Sequence, residues 1–367
     1  MSFLKTLTLF TFVTSISAVV TAVPLCRNLF DPNNNQAFLT EQNVADLVEK
    51  SKSYQDKRNK EWAERNKCLC CHTTLPYMLG RGLDVNSKAN FEKFKDVAAI
   101  KVENPAELPW YHADMKGRDS KPTEAVLNAL TLVMYDIQSG VPLTATTLKA
   151  MDSIFAKVES NGRLHWLDFE LQPFESKKGE LWGNSMALLA IEIAKKNSDY
   201  QPPTAKYNKL KAYILNKSDL LQINEMSVLL WANSQSGHGQ FLTAATESKF
   251  LNKIIDSQNE NGSFNQDVVL GFGKREDNIY ATAISLIGLI KAGYGNHPTA
   301  HRAAKWLASA QSTGNLLQMG DGTTLWPSIS MNRTNVLRND RFASDYSTSY
   351  SALALSIYKS EVLDSRP

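Results

Sequence analysis

The sequence predicts an all-α protein, an (α/α)6 toroid of paired inner and outer helices. Two observations predict it. Beyond the N-terminal stretch, apolar residues recur at three and four, the helical period, and no long alternating strand pattern appears. The helical segments also come in pairs of unlike chemistry. First members carry lysines around one apolar face, as in Phe91-Glu92-Lys93-Phe94-Lys95 and Lys206-Tyr207-Asn208-Lys209-Leu210-Lys211. Second members are nearly uncharged and dense in Ala, Ser, Leu and Met, so they are buried on most sides. An outer ring of amphipathic helices around an inner ring of apolar ones satisfies both patterns. An open solenoid of helix pairs is the alternative.

In chain order, residues 1–22 predict a signal peptide. Lys5 precedes an apolar run from Leu7 to Val20, and Val20-Thr21-Ala22 fits the small-residue rule for cleavage after Ala22. Thr8, Thr11, Thr14, Ser15 and Ser17 dilute the run below what a membrane anchor needs. Leu25-Cys26 makes a poor lipidation site. The expected product is periplasmic or secreted, with no transmembrane span after cleavage, and residues 23–367 form one toroid domain.

The pairs then follow at roughly 40 to 65 residues, about six in all. The first is Val44 to Lys57 with a helix from about His72. Next come Phe91 to Ala98 with Pro122 to Val133, then Met151 to Val158 with Leu181 to Ala190. Tyr207 to Leu215 precedes Asn224 to Ala232. The clearest copy pairs Phe250 to Gln258, through Asn261-Gly262-Ser263-Phe264, with Asp277 to Leu289. In the last, Lys305-Trp306-Leu307 leads through Gln311 and Trp326 to a helix beginning near Ser344.

The net charge of +3, from 40 basic and 37 acidic residues, leaves no electrostatic footprint for nucleic acid. The chemistry concentrates instead at Lys67-Cys68-Leu69-Cys70-Cys71-His72. Cys68, Cys71 and His72 have the C-x-x-C-H spacing of covalent haem c attachment. Two thiols add across the haem vinyl groups, and the adjoining imidazole becomes the proximal iron ligand. Met115 and His112 are the candidate second axial ligands. Cys26 and Cys70 bring the cysteines to four, so disulfides are the competing expectation, and export favours both.

Gln258 to Phe264, and Trp306 through Gln311 to Trp326, resemble degenerate Gln-Trp repeats of the squalene–hopene cyclase and protein prenyltransferase superfamily. That resemblance implies that turn glutamines and aromatics tie neighbouring helix ends together, and that the cavity takes an apolar, isoprenoid-like ligand. A closer resemblance is to exported bacterial toroid proteins, labelled cyclase-like, with a Cys-x-x-Cys-His-Thr segment in the first repeat. Cys71 to Tyr77, Thr123 to Leu130, Trp166 to Phe169 and Arg341 to Asp345 carry it. The cyclases' Asp-x-Asp-Asp acid has its nearest equivalent in Arg275-Glu276-Asp277-Asn278, where Asn278 replaces one carboxylate and Arg275 favours ionisation. Asp277 is the candidate acid. No cysteine beyond Cys71 is available for a prenyltransferase zinc site.

The repeat register puts His72 level with Trp182, Asp277 and Asp345, at one mouth of the cavity. Asp168, Glu170, Glu175 and Glu180 are expected in a solvated loop beside it, and Glu124 in the first turn of its helix. The functional expectation is a haem-bearing toroid in redox chemistry or electron transfer with a redox partner protein. The alternatives are a haem-free terpenoid-cyclase-like enzyme using Asp277 and a non-catalytic, disulfide-bonded binding protein.

Overall fold

The structure is a computed structural model describing residues 39–108, 113–236, 241–266, 278–313, 323–328 and 336–365. The predicted signal peptide, Cys26, His112, His238 and Asp277 lie outside the described residues. The described chain is all-helical apart from a two-stranded antiparallel ribbon, β1 (Ser312–Thr313) and β2 (Thr324–Leu325). Among the described residues no helix is long and apolar enough to cross a membrane.

The helices in order are α1 (Glu41–Arg65), α2 (Thr74–Gly80), α3 (Lys88–Glu103), α4 (Ala113–Gln138), α5 (Ala145–Lys157) and α6 (Gly179–Asn197). Then come α7 (Thr204–Leu215), α8 (Ile223–Gln235), α9 (Ala244–Asp256), α10 (Ile279–Leu289), α11 (Pro298–Ala310) and α12 (Val336–Tyr358). Several begin on side-chain caps that satisfy first-turn N–H groups. Thr144 accepts from Thr147 N, Thr243 from Thr246 N, and Asn278 from Ala281 N at 2.9 Å.

Burial separates the two sets. Every residue of α10 is buried, as are Asn224 to Ala232 of α8 and Gly183 to Ala194 of α6. On α9 only Phe250, Leu251 and Ile254 are buried, and on α7 only Leu210 and Ile214. The even-numbered helices pack on one another in succession: α2 on α4, α4 on α6, α6 on α8, α8 on α10, α10 on α12. Helix α12 in turn packs on α2 and on α1.

Two turns, about a hundred residues apart, repeat one another. In each, an Asn-Gly pair takes a positive φ at glycine, +93° at Gly162 and +95° at Gly262, where other residues are strained. The asparagine side chain accepts from the backbone two residues on, at Arg163 and Ser263. A β-carbon at either glycine would strike the backbone of the next odd-numbered helix, at Lys209 or Arg302. Gln258 donates from Nε2 to both Gly262 O and Thr299 O at 2.9 Å, joining the turn to α11. Gln311 likewise reaches Leu47 O on α1 at 2.6 Å. Gln258→Leu should cost about 1–3 kcal/mol, from three lost hydrogen bonds, the third accepted from Arg302, and carbonyls left half-satisfied. An unchanged urea midpoint would contradict that tie.

Two boundaries differ from those expected. Helix α4 starts at Ala113 and runs through Pro122 rather than starting there; the missing N–H costs one ladder bond, which the surrounding packing overrides. Glu124 is therefore mid-helix, not in the first turn, and offsets no helix dipole. Helix α12 begins at Val336, two turns before Ser344.

Candidate functional site

The segment between α1 and α2 is folded by its own cysteine. Cys70 N donates to Thr74 Oγ1 at 2.7 Å, Leu75 N to Cys70 O at 3.1 Å, and Thr74 N to Cys70 Sγ at 3.4 Å. These local bonds tie Cys70 to the first turn of α2. Trp62, one turn from the end of α1, donates from Nε1 to Cys68 O at 2.9 Å. Cys68, Cys70 and Cys71 are all unbridged.

The three thiols have different neighbours. Burial, then the Glu124 charge, pushes Cys68 up to about 11, and Glu175 adds to it. Burial, then Glu175, raises Cys71 well above its ordinary value. Burial pushes Cys70 up to about 12, and Glu175 is not among the charges it feels. Cys68 and Cys71 thus share one carboxyl neighbour, while Cys70 engages Thr74. All three are held as thiols, unlike the thiolates of reactive cysteine pairs.

His72 is clamped. Phe342 stacks on its ring at 3.9 Å between centroids, and Trp62 meets it edge-on at 5.3 Å. Its Nδ1 lies 2.9 Å from Thr73 Oγ1. Thr73 occupies the cap position of α2 but makes no cap bond; its hydroxyl donates instead to Asp345 Oδ2 at 2.7 Å. Asp345, 3% exposed, also accepts from Tyr54 OH at 2.9 Å and from Arg58 Nε and Nη2 at 2.8 and 3.0 Å. Burial alone would lower the Arg58 guanidinium, yet the adjoining Asp345 carboxylate holds it above its ordinary value.

Beside the thiols lies an aromatic cluster. Trp182 at the start of α6 donates to Tyr280 OH at the start of α10, at 3.0 Å. Phe174 packs on Trp182, Tyr280 and Tyr346 with centroids at 4.4, 5.2 and 5.0 Å. Gly183 makes room: a β-carbon there would meet the Trp166 indole at 2.2 Å. Tyr350 stacks obliquely on Tyr280 at 5.0 Å, and its buried hydroxyl has no hydrogen-bond partner among the described residues.

The four loop acids expected in solvent separate by role. Asp168 accepts from Glu170 N, and Glu180 pairs with Arg163 and Tyr213. Glu175 is partly buried, and burial raises its carboxyl to about 7. No signal in the sequence singled it out, since Asp168 adjoins an aromatic residue just as Glu175 adjoins Phe174. Below the ordinary glutamate range this group is protonated folded and unfolded alike; between that range and about pH 7 only the native state keeps the proton. Stability should therefore fall as pH rises through that window, and Glu175→Gln should flatten the fall. Parallel urea curves for both proteins at about pH 5 and about pH 8 would refute this.

Sequence reasoning also missed Lys101 and its ion pair with Glu124, 2.6 Å long with both side chains buried, which lies close enough to act on Cys68. Met115 falls in the first turn of α4, but only its backbone is described. Asp277, the candidate acid, immediately precedes the cap residue Asn278 and lies outside the described residues. His165 pairs with Glu159 and Asp119, His297 caps α11, and His301 bonds Tyr358 OH. Among the described residues, no group of three or more His, Cys, Asp or Glu is placed to hold a metal ion unaided.

The fold and the site together define an all-helical protein with a cysteine–histidine segment locked between its first and last helices. No family model matches the sequence, and no curated protein matches it.

Proposed function

We propose that this chain is an exported (α/α)6 toroid of the squalene–hopene cyclase and prenyltransferase kind, carrying one covalent c-type haem and working in electron transfer. The succession of even-numbered helices, with α12 back against α2, supports the toroid. So do the turn glutamines that bridge neighbouring odd-numbered helices. Removal of residues 1–22 and a periplasmic or secreted location belong to the same reading, as does an apolar, isoprenoid-like ligand.

One observation carries the haem assignment: Cys70 is committed to Thr74, which leaves Cys68 and Cys71 as unbridged thiols either side of it, next to a clamped imidazole. The donor set therefore fits the group, with Cys68 and Cys71 as tethers, His72 as iron ligand and Met115 as candidate second ligand. Bound there, haem would supply one-electron chemistry at iron. Phe342 and Trp62 orient the imidazole. The packed aromatics Phe174, Trp182, Tyr280 and Tyr346 exclude water from the adjoining space, and Glu175 holds a proton on its carboxyl.

A haem-free reading is favoured by one specific observation. Glu175 pairs a raised proton affinity with flanking electron-rich rings, the setting for protonating an apolar substrate and shielding the cation formed. Cys71, 1% exposed, would then be a plain core thiol.

The deciding experiment expresses the full chain in a host competent in cytochrome maturation. The expected results are an alkaline pyridine-haemochrome band and a mass gain of one haem on the peptide holding Cys68, Cys71 and His72. Cys70→Ser should keep both signals, and Cys71→Ser should lose the double attachment. A colourless product with an unmodified peptide rejects the haem and leaves the second reading.

A further inference from the structure

We infer that the hairpin carrying Phe174 is a self-inserted plug, and that its ring holds the place of a ligand. That ligand is a single six-membered aromatic ring bearing one hydrogen-bonding group. Two observations carry this. Phe174 belongs to the connection between α5 and α6, yet its ring, 3% exposed, is seated among residues of three helices. It meets Trp182 of α6 at 4.4 Å, Tyr280 of α10 at 5.2 Å and Tyr346 of α12 at 5.0 Å. The last two contacts are edge-on, at 79° and 82°. In the packing order α8 and α10 stand between α6 and α12, so the ring lies where non-neighbouring helices converge.

The second observation is Tyr350. Its ring lies 5.0 Å from Tyr280, which Phe174 also touches, and its fully buried hydroxyl has no hydrogen-bond partner among the described residues. A buried hydroxyl left unpaired is costly, so a ligand that met it would be favoured over one that did not. The carrier of Phe174 is held together by its own bonds. Leu171 N donates to Glu175 O at 2.9 Å, Glu175 N to Leu171 O at 2.8 Å, and Phe169 N to Glu175 O at 2.9 Å. Glu170 on this hairpin is exposed, and Gln172 and Pro173 are half-buried. Withdrawing the ring breaks the 2.8 Å bond from Trp166 Nε1 to Phe174 O and leaves the hairpin's internal bonds intact. A ligand ring then takes over the edge-to-face contacts. The inference rests on the ring of even-numbered helices in the proposed toroid and needs no haem.

The test is fluorine NMR on the full, haem-free chain labelled with 4-fluorophenylalanine, with phenol and toluene as probes. The Phe174 resonance is assigned by its absence in Phe174→Leu. Phenol should bind wild type saturably and move that resonance towards the value of the free amino acid. By calorimetry Phe174→Ala, with no ring to displace, should bind phenol about tenfold more tightly. If that variant does not unfold cooperatively in urea, Phe174→Leu takes its place. Phenol should bind about fivefold more tightly than toluene, and Tyr350→Phe should erase the difference. Wild type without saturable phenol binding, or with binding that leaves the fluorine resonance unmoved, overturns the plug. Equal affinity for phenol and toluene overturns the part given to Tyr350. Failure of the haem reading shows separately, as an unmodified mass.

Discussion

Asp345→Ala is expected to destabilise the protein by about 3–5 kcal/mol, because it takes from the buried Arg58 guanidinium its buried counter-charge and leaves the more exposed Glu61. The loss has identifiable parts. Among the described residues Arg58 then keeps Glu61, at 2.6 Å, while Tyr54 OH and Thr73 Oγ1 lose their acceptor. The charge term can be isolated. Combining Asp345→Ala with Arg58→Met removes the stranded cation, so the double variant should be more stable than Asp345→Ala alone. Denaturant midpoints measure both. A single-variant loss under about 1 kcal/mol would mean the pair sits in far wetter surroundings than its burial implies.

Trp182→Ala should cost a similar amount, about 3–5 kcal/mol, for a different reason. The indole is 2% exposed and touches Trp166 and Phe174, so its removal opens a cavity the surrounding helices cannot close. It also takes away the donor to Tyr280 OH. Trp182→Phe keeps most of the volume and should recover more than half of the loss. If alanine and phenylalanine were equally costly, the hydrogen bond rather than the cavity would dominate.

Much of the architecture is legible in the chain. Uncharged runs such as Ile279 to Leu289 are the fully buried helices, and lysine-bearing runs such as Tyr207 to Leu215 are the half-exposed ones. Turn chemistry was readable too, since Asn161-Gly162 and Asn261-Gly262 are both tight turns with glycine at positive φ. Pro122 misled, because a proline at a helix start and one inside a longer helix have the same local sequence.

The candidate site divides along the same line. Cys68, Cys71 and His72 are a local pattern and could be read directly. The Arg58–Asp345 pair could not, because its partners are 287 residues apart and neither flank announces the other. Nor could the split among Asp168, Glu170, Glu175 and Glu180, four acids of like sequence context. Which of them meets water depends on how Phe174 seats among residues of α6, α10 and α12.

The lock on His72 also fixes an order of events. Thr73 and Arg58 are synthesised early, but the carboxylate they need arrives 272 residues after Thr73, on the last helix. In a nascent chain the cysteine–histidine segment therefore stays without that lock until the helix docks. Docking then seals it. C-terminal truncation before Asp345 should leave this window permanently ajar, with the thiols open to alkylating reagents that the intact protein turns away.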